Sequence, residues 1–394
     1  MAVFLILVGL SGSLLVFRAE LEELTHSEIL PRTQGDPLDP ATLLERAEAL
    51  VPEGNIRGIR MEGNQGATLV IVQARRDPHT GRSQPLGYNH LYLDPHTGEE
   101  LGREQFAQLT KSIGSVMPFI YRFHFNLALG EVGRWILGIV ALIWTLDCFV
   151  SAYLTLPAPR RKRDDLVDPG CRKTWWQRWR AAWNVRWNGG AFKLNYDLHR
   201  AGGLWPWVML FVFAWSSVGF NLNKQVYVPV MRLFFDMPRE ITPRQSQQNE
   251  LPVMTWRQAQ TRGEYLMAEQ AIRMGFHVEK PMTLLLDRDN ETYTWGVRST
   301  LDIQDKRGST LLRFDARSGA LMGVELPTRQ STGNTITTWL LQLHIANVFG
   351  LPYRIFVCVL GLVITMLSVT GVYIWWKKRT ARLKQAARLA AQSA

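Results

Sequence analysis

The sequence has little cysteine and none of the common enzyme loops. Three cysteines in 394 residues, Cys148, Cys171 and Cys358, exclude a disulfide scaffold and a CxxC metal knuckle. No GxSxG, HExxH, Walker loop or strand-linked GxGxxG occurs. Hydrolase, ATPase and flavin-binding readings therefore have no residues to stand on. Charged residues make up only 20% of the chain, and four long stretches nearly lack them. A mean hydropathy of -0.08 describes a soluble protein only as an average of unlike parts.

A spanning helix needs about 20 mostly apolar residues. Four stretches suit that role: 1–17, 119–154, 203–222 and 344–376, the second cleanest from Trp135 and the fourth from Ile355. The first lacks a basic n-region and an A-x-A site, so it reads as an anchor and not a signal peptide. The fourth ends in Tyr373, Trp375 and Trp376 before Lys377, Lys378 and Arg379, an interfacial aromatic belt beside a basic run.

The net charge of +11 points to nucleic acid or to a membrane surface. Its distribution decides between them. Residues 155–200 hold 11 basic and 4 acidic side chains, and 377–394 hold 6 basic and none acidic. The segment 18–118 holds 10 basic and 15 acidic, and 223–353 holds 15 and 13. Positive loops stay in the cytoplasm. The loop 155–202 and the tail 377–394 are thus expected inside, with the N-terminus. The segments 18–118 and 223–343 are expected outside. Nucleic acid loses its support, and membrane lipid is the expected partner. In the inner loop, Trp175, Trp179, Trp183 and Trp187 recur every four residues among Arg178, Arg180 and Arg186. On one helix they form a tryptophan stripe suited to the bilayer interface.

The chain also reads as a tandem repeat of span, outward domain, span. Asp94 and Gly98 match Asp315 and Gly319 in two D-x-x-x-G turns. His124, Gly130 and Arg134 match His344, Gly350 and Arg354 at an offset of 220. Ahead of each turn lie a helical stretch (41–50; 256–273) and alternating strands (56–61 and 68–73; 283–286 and 292–297). The expected fold is a four-span α-helical bundle with two outward α+β domains. Carried back by the span-three offset, His199 falls before Met1, so its counterpart is missing and the natural start is expected upstream.

These twin turns resemble PepSY domains, and the four-span layout with H-x5-G at two span starts resembles the PepSY-associated transmembrane family. That family includes iron-regulated inner-membrane proteins and ferric-siderophore reductases that bind haem. The resemblance implies a haem-b electron-transfer protein acting on a ferric siderophore, supplied by an electron donor the sequence does not identify. The family's histidine at the start of span one is absent here.

Of eight histidines, His26, His79, His90, His96 and His277 fall in the outward segments and suit turn or surface roles. His124 and His344 each lie 11 residues before an apolar core, roughly 16 Å along a continuous helix, and so at one height. Two facing imidazoles at one depth suit bis-histidine haem ligation. Helix-packing hydrogen bonds and a zinc or copper site are the alternatives. Gly130 and Gly350 would let a macrocycle or a helix approach. Arg134 and Arg354 would pair with propionates, or snorkel to the interface. His199 would ligate a second, inner haem. Asp147 is expected to pair with an inner arginine, Glu131 to pair with Arg134, and Cys148 and Cys358 to pack inertly. Two other functions stay open: a PepSY-type binding protein without redox activity, and a siderophore permease, which would need a homodimer or a wide cleft.

Overall fold

The computed structural model describes residues 1–25, 35–61, 66–75, 85–105, 116–158, 174–237 and 252–393. Two segments fold alike. In the first, helix α3 (Pro40–Leu50) precedes β1 (Gly54–Arg60), β2 (Thr68–Ala74), β3 (His90–Leu93) and β4 (Glu100–Glu104). In the second, α10 (Trp256–Met274) precedes β5 (Val278–Asp287), β6 (Thr292–Ser299), β7 (Thr310–Asp315) and β8 (Leu321–Glu325). Both helices start on a side-chain cap: Asp39 accepts from the Thr42 amide, and Thr255 forms a capping box with Gln258.

The two α+β modules share one sheet. All eight strands are antiparallel, in the order β4-β3-β2-β1-β5-β6-β7-β8. The halves meet where Gly58, Ile59 and Arg60 face Leu285, Leu284 and Thr283. Strand burial alternates, as in β7 (Thr310, Leu312 and Phe314 in), because one face packs on helices and the other does not. The packed face holds Ile56, Ile59, Val70, Leu284, Trp295 and Phe314 against α3 and α10. Those helices are tied across the halves: Gln260 accepts from the Ala41 amide at 2.8 Å, and the Trp256 indole donates to Glu48 at 2.8 Å.

Both D-x-x-x-G turns have one geometry. Asp94 Oδ1 accepts from the amides of His96 and Thr97, and Asp315 Oδ1 from those of Arg317 and Ser318. Gly98 and Gly319 then take left-handed φ of 69° and 68°.

Two helices are long and apolar enough to cross a membrane: α5 (Gly130–Thr155) and the start of α12 (Gly350–Ser393). Two bent pairs raise this to four if each is one span: α1 (Ala2–Leu15) with α2 (Arg18–Thr25), and α7 (Ala191–Leu204) with α8 (Trp207–Asn221). α1 packs on α12, and α5 packs on α8. At the first crossing, small residues let backbones touch: a Cβ on Gly9 would meet Thr365 Oγ1 and the Gly361 carbonyl.

The helix before each of α5 and α12 is broken from it. α4 (Val116–Asn126) ends at Leu127 and Ala128, and α11 (Thr332–His344) ends before Ala346 and Phe349, all four at positive φ. Gly130 and Gly350 begin the next helices at φ 61° and 62°, and a Cβ on either would meet nothing within 4 Å. These glycines therefore serve left-handed breaks and not close approach. The 16 Å helical rise expected from the sequence does not hold, since His124 and His344 stand on separate helices.

The tryptophan stripe is shorter than its spacing suggests. α6 (Trp175–Arg180) passes into one 3₁₀ turn (Ala181–Trp183) and stops. Trp179 packs at 5.3 Å on both Trp175 and Trp183. Trp187 lies beyond, because Arg186 is drawn to Asp197 on α7. The buried Asp197 carboxylate accepts from Arg186 Nε (2.6 Å), Nη2 (2.9 Å) and backbone N (3.2 Å), and from Arg200 (3.1 Å).

Arg186 holds the Asp197 carboxyl below its ordinary value. A depressed carboxylate stabilises the fold above its unfolded value of about 3.9, and that gain is lost as pH falls through the lower folded value. Hydrogen exchange of residues 184–190, corrected for intrinsic rates, is expected to stay level from pH 7 to about pH 5 and to rise only below about pH 4. Asp197→Asn should raise it already at neutral pH. Protection that declines between pH 7 and 5 would contradict this assignment.

Candidate functional site

Three helix-borne histidines meet the bundle in the same way. His124 on α4 places Nδ1 2.9 Å from Ser11 Oγ on α1. His344 ends α11 with Nδ1 2.7 Å from Ser216 Oγ on α8. His199 on α7 places Nδ1 3.1 Å from Thr370 Oγ1 and 3.0 Å from the Leu367 carbonyl on α12. All three hydroxyl residues are buried.

The hydroxyls decide which nitrogen carries the proton. A hydroxyl has one hydrogen to give. Ser11 Oγ donates to the Leu7 carbonyl at 2.7 Å, Ser216 to Val212 at 2.6 Å, and Thr370 to Met366 at 2.8 Å. A carbonyl can only accept, so the hydroxyl gives its hydrogen there and accepts from the ring. The network thus assigns the proton to Nδ1 of His124, His344 and His199. Nε2 keeps its lone pair, and among the described residues no hydrogen bond engages it.

Small neighbours let two of the rings seat. A Cβ on Gly12 would stand 3.0 Å from His124 Cε1, and one on Gly371 3.1 Å from His199 Cε1. His344 is held between ring edges, with Phe213 at 4.8 Å and Phe220 at 5.3 Å. Phe213, which touches His344, packs in the same apolar cluster as Val8, one turn before the Ser11 that meets His124. The histidines that match in sequence are therefore brought to one neighbourhood, while His199 stands apart near Asp147.

Among the described residues, no three His, Cys, Asp or Glu side chains gather as a metal cage. A tetrahedral zinc site needs three or four protein donors. Two imidazoles with fixed Nε2 lone pairs suit a metal that brings its own equatorial donors, as haem does. A ligating histidine usually donates its other N–H to an oxygen, and that contact is present three times here. The donor set fits haem.

The matched arginines diverge. Arg354 forms two 2.6 Å bonds to Glu20 and donates to the Val16 carbonyl at 2.7 Å, so it clamps α1 to α2. Arg134 pairs with Glu131 at 2.7 Å, as the sequence leads one to expect, and its Nε is buried without a hydrogen bond. Asp147 forms no ion pair among the described residues. Cys148 and Cys358 are unpaired thiols. His90, His96 and His277 belong to the sheet domain, while His26, His79 and Cys171 lie outside the described residues. Sequence reasoning singled out the histidines but did not foresee Ser11, Ser216 and Thr370 as their partners, because these look like ordinary small polar residues inside spans.

A family model described as "PepSY-associated TM region" matches residues 1–378. No curated protein matches the chain.

Replacing Ser11 and Ser216 together by alanine leaves His124 and His344 without their hydroxyl acceptors. Loss of such a partner typically costs about 10- to 100-fold in affinity. Haem titration of the solubilised chain should show a loss of at least about 10-fold for this variant, with Ser→Thr at both positions restoring most of it. Equal affinities for all three proteins would remove the hydroxyls from the site.

Proposed function

The chain belongs to the PepSY-associated transmembrane family, and on that premise we propose that it is an inner-membrane electron-transfer protein that binds haem b and reduces a ferric chelate of the siderophore class. The observation that carries this reading is the shared hydroxyl contact, which leaves Nε2 of His124 and His344 available in one neighbourhood. The same contact on His199 supports a second haem at the opposite end of the bundle.

In the proposed topology, α1, α5, α8 and the start of α12 cross the membrane, giving four spans, and α2 and α7 bend off outside them. The basic loop 155–202 and the tail face the cytoplasm and its electron donor, and the sheet domain faces the periplasm. Haem b, when bound, supplies a one-electron couple. The chain's residues prepare that site. Ser11 and Ser216 hold their imidazoles in the tautomer that exposes Nε2. Phe213 and Phe220 exclude water from His344. The Arg354–Glu20 pair fixes the end of α1 that carries Ser11. Adding one electron to a ferric chelate yields ferrous iron, which hard oxygen donors hold far less tightly, so the metal is released.

The test is a reduced-minus-oxidised spectrum of the purified full chain. A b-type difference spectrum is expected in the wild type. His124→Ala and His344→Ala should each abolish the outer component. His199→Ala should leave that component intact. A preparation without haem, or single variants with wild-type spectra, would overturn the proposal.

A further inference from the structure

The eight-stranded sheet buries one face and leaves the other without a covering helix among the described residues. A cavity of about 350 Å³ opens on that bare face and spans both halves. Its floor is apolar, from Ile71 of β2 and Leu285 of β5. Its walls carry three guanidinium groups: Arg57 and Arg60 from β1, and Arg313 from β7. Thr294 and Asn290 add a hydroxyl and an amide. The volume lies in the range of small-molecule sites, which pair an apolar body with a few polar anchors.

The charges in this cavity do not cancel. Arg313 is neutralised by Glu325 at 3.0 Å. Asp287 also lines the cavity and attracts Arg57, but it is one carboxylate against the two cations Arg57 and Arg60, and its oxygens already accept from the Asp289 and Asn290 amides and from Asn290 Nδ2. Among the described residues, Arg57 and Arg60 form no ion pair. Neighbouring protein partly desolvates the Arg60 guanidinium, and like charge from Arg307 and Arg57 adds to the effect. A guanidinium partly stripped of water beside others of its sign is stabilised by an incoming anion. This positive hollow is lined from 18–118, whose own sum is acidic, and from 223–353, which holds 15 basic and 13 acidic residues, so it is a local feature and not a reflection of net charge.

The C-terminal end of β1, which carries Arg60, turns toward the histidine end of the bundle. Arg60 interacts electrostatically with Tyr121 on α4, three residues before His124. The loop between β6 and β7 docks on the break before α12, where Asp305 accepts from the Gly350 amide at 2.8 Å. A ligand in the cavity is therefore held on the same side of the molecule as His124 and His344.

We propose that the bare face of the sheet is a binding site for an anionic metal chelate, with Arg57 and Arg60 as the anion contacts and Ile71 and Leu285 under its apolar backbone. The inference rests on the ferric-chelate reading above and narrows it: chelates with catecholate or carboxylate donors and net negative charge bind here, and neutral hydroxamate chelates do not.

Gallium(III) complexes test the site without redox chemistry, because gallium resembles ferric iron and is not reduced. Equilibrium dialysis of the solubilised full chain would compare gallium tris-catecholate, which is anionic, with gallium tris-hydroxamate, which is neutral. The anionic complex is expected to bind, and its affinity to fall as ionic strength rises. Arg57→Gln with Arg60→Gln should weaken it by about 10-fold or more, the range of a lost charge-assisted pair, while Arg57→Lys with Arg60→Lys should retain most of it. The neutral complex should be insensitive to all of these changes. Equal affinity for both complexes, no binding of either, or an unchanged affinity in the glutamine variant would overturn the site. The haem spectrum of each variant reports folding independently. A chain without haem still gives or withholds this binding pattern, so failure of the chelate site and failure of the haem reading are separable.

Discussion

A serine or threonine inside an apolar bundle has one proton and two lone pairs, and here its own helix takes the proton. Ser11, Ser216 and Thr370 each donate to the carbonyl four residues back. In a medium without water that leaves an acceptor, and an acceptor in lipid must find a donor. The imidazole Nδ1–H is that donor in all three places. The arrangement of the three rings follows from this one exchange. It orients three rings, fixes their tautomer and leaves Nε2 for something else.

The rest of the bundle serves to bring such pairs together. His124 and His344 each sit on a helix that belongs to one half, and α1 packs on α12 while α5 packs on α8. The halves are thus interlocked in the bundle, and they are interlocked again in the sheet where β1 meets β5. A displacement of one half is resisted at both levels. The left-handed breaks at Leu127 to Gly130 and at Ala346 to Gly350 release the histidine helices from the long spans. Each ring can then turn toward its serine instead of following the direction of the span.

Much of this was legible in the sequence where a period or a symmetry carried it. Alternation placed β1, β2 and β6, turn chemistry placed Asp94 and Asp315, and the repeat paired His124 with His344. What was not legible depended on partners distant in the chain. Nothing local to Gly130 distinguishes a break from a close approach, because glycine allows both. The spacing of Trp187 continues a helical stripe, yet the buried Asp197 carboxylate outbids it for Arg186, and a buried charge tolerates no missing partner. The joining of the two modules into one sheet was equally hidden, since each module carries a complete strand pattern of its own.

The limit of the symmetry argument is clearest at the arginines. Arg134 and Arg354 occupy matching places in the two halves, and the repeat alone would give them one role. The acid that meets Arg354 is Glu20, on a helix that bends away just after α1. Arg134 finds its acid on its own helix, one turn before it. A carboxylate one turn away on the same helix leaves a guanidinium partly unspent, and the Nε of Arg134 is buried without a hydrogen bond. One supplied from another helix with two oxygens consumes it. Matching places in the sequence therefore carry residues to similar positions, but the surrounding helices decide what each is left to offer: the Nε of Arg354 is engaged by the Val16 carbonyl, and that of Arg134 is not.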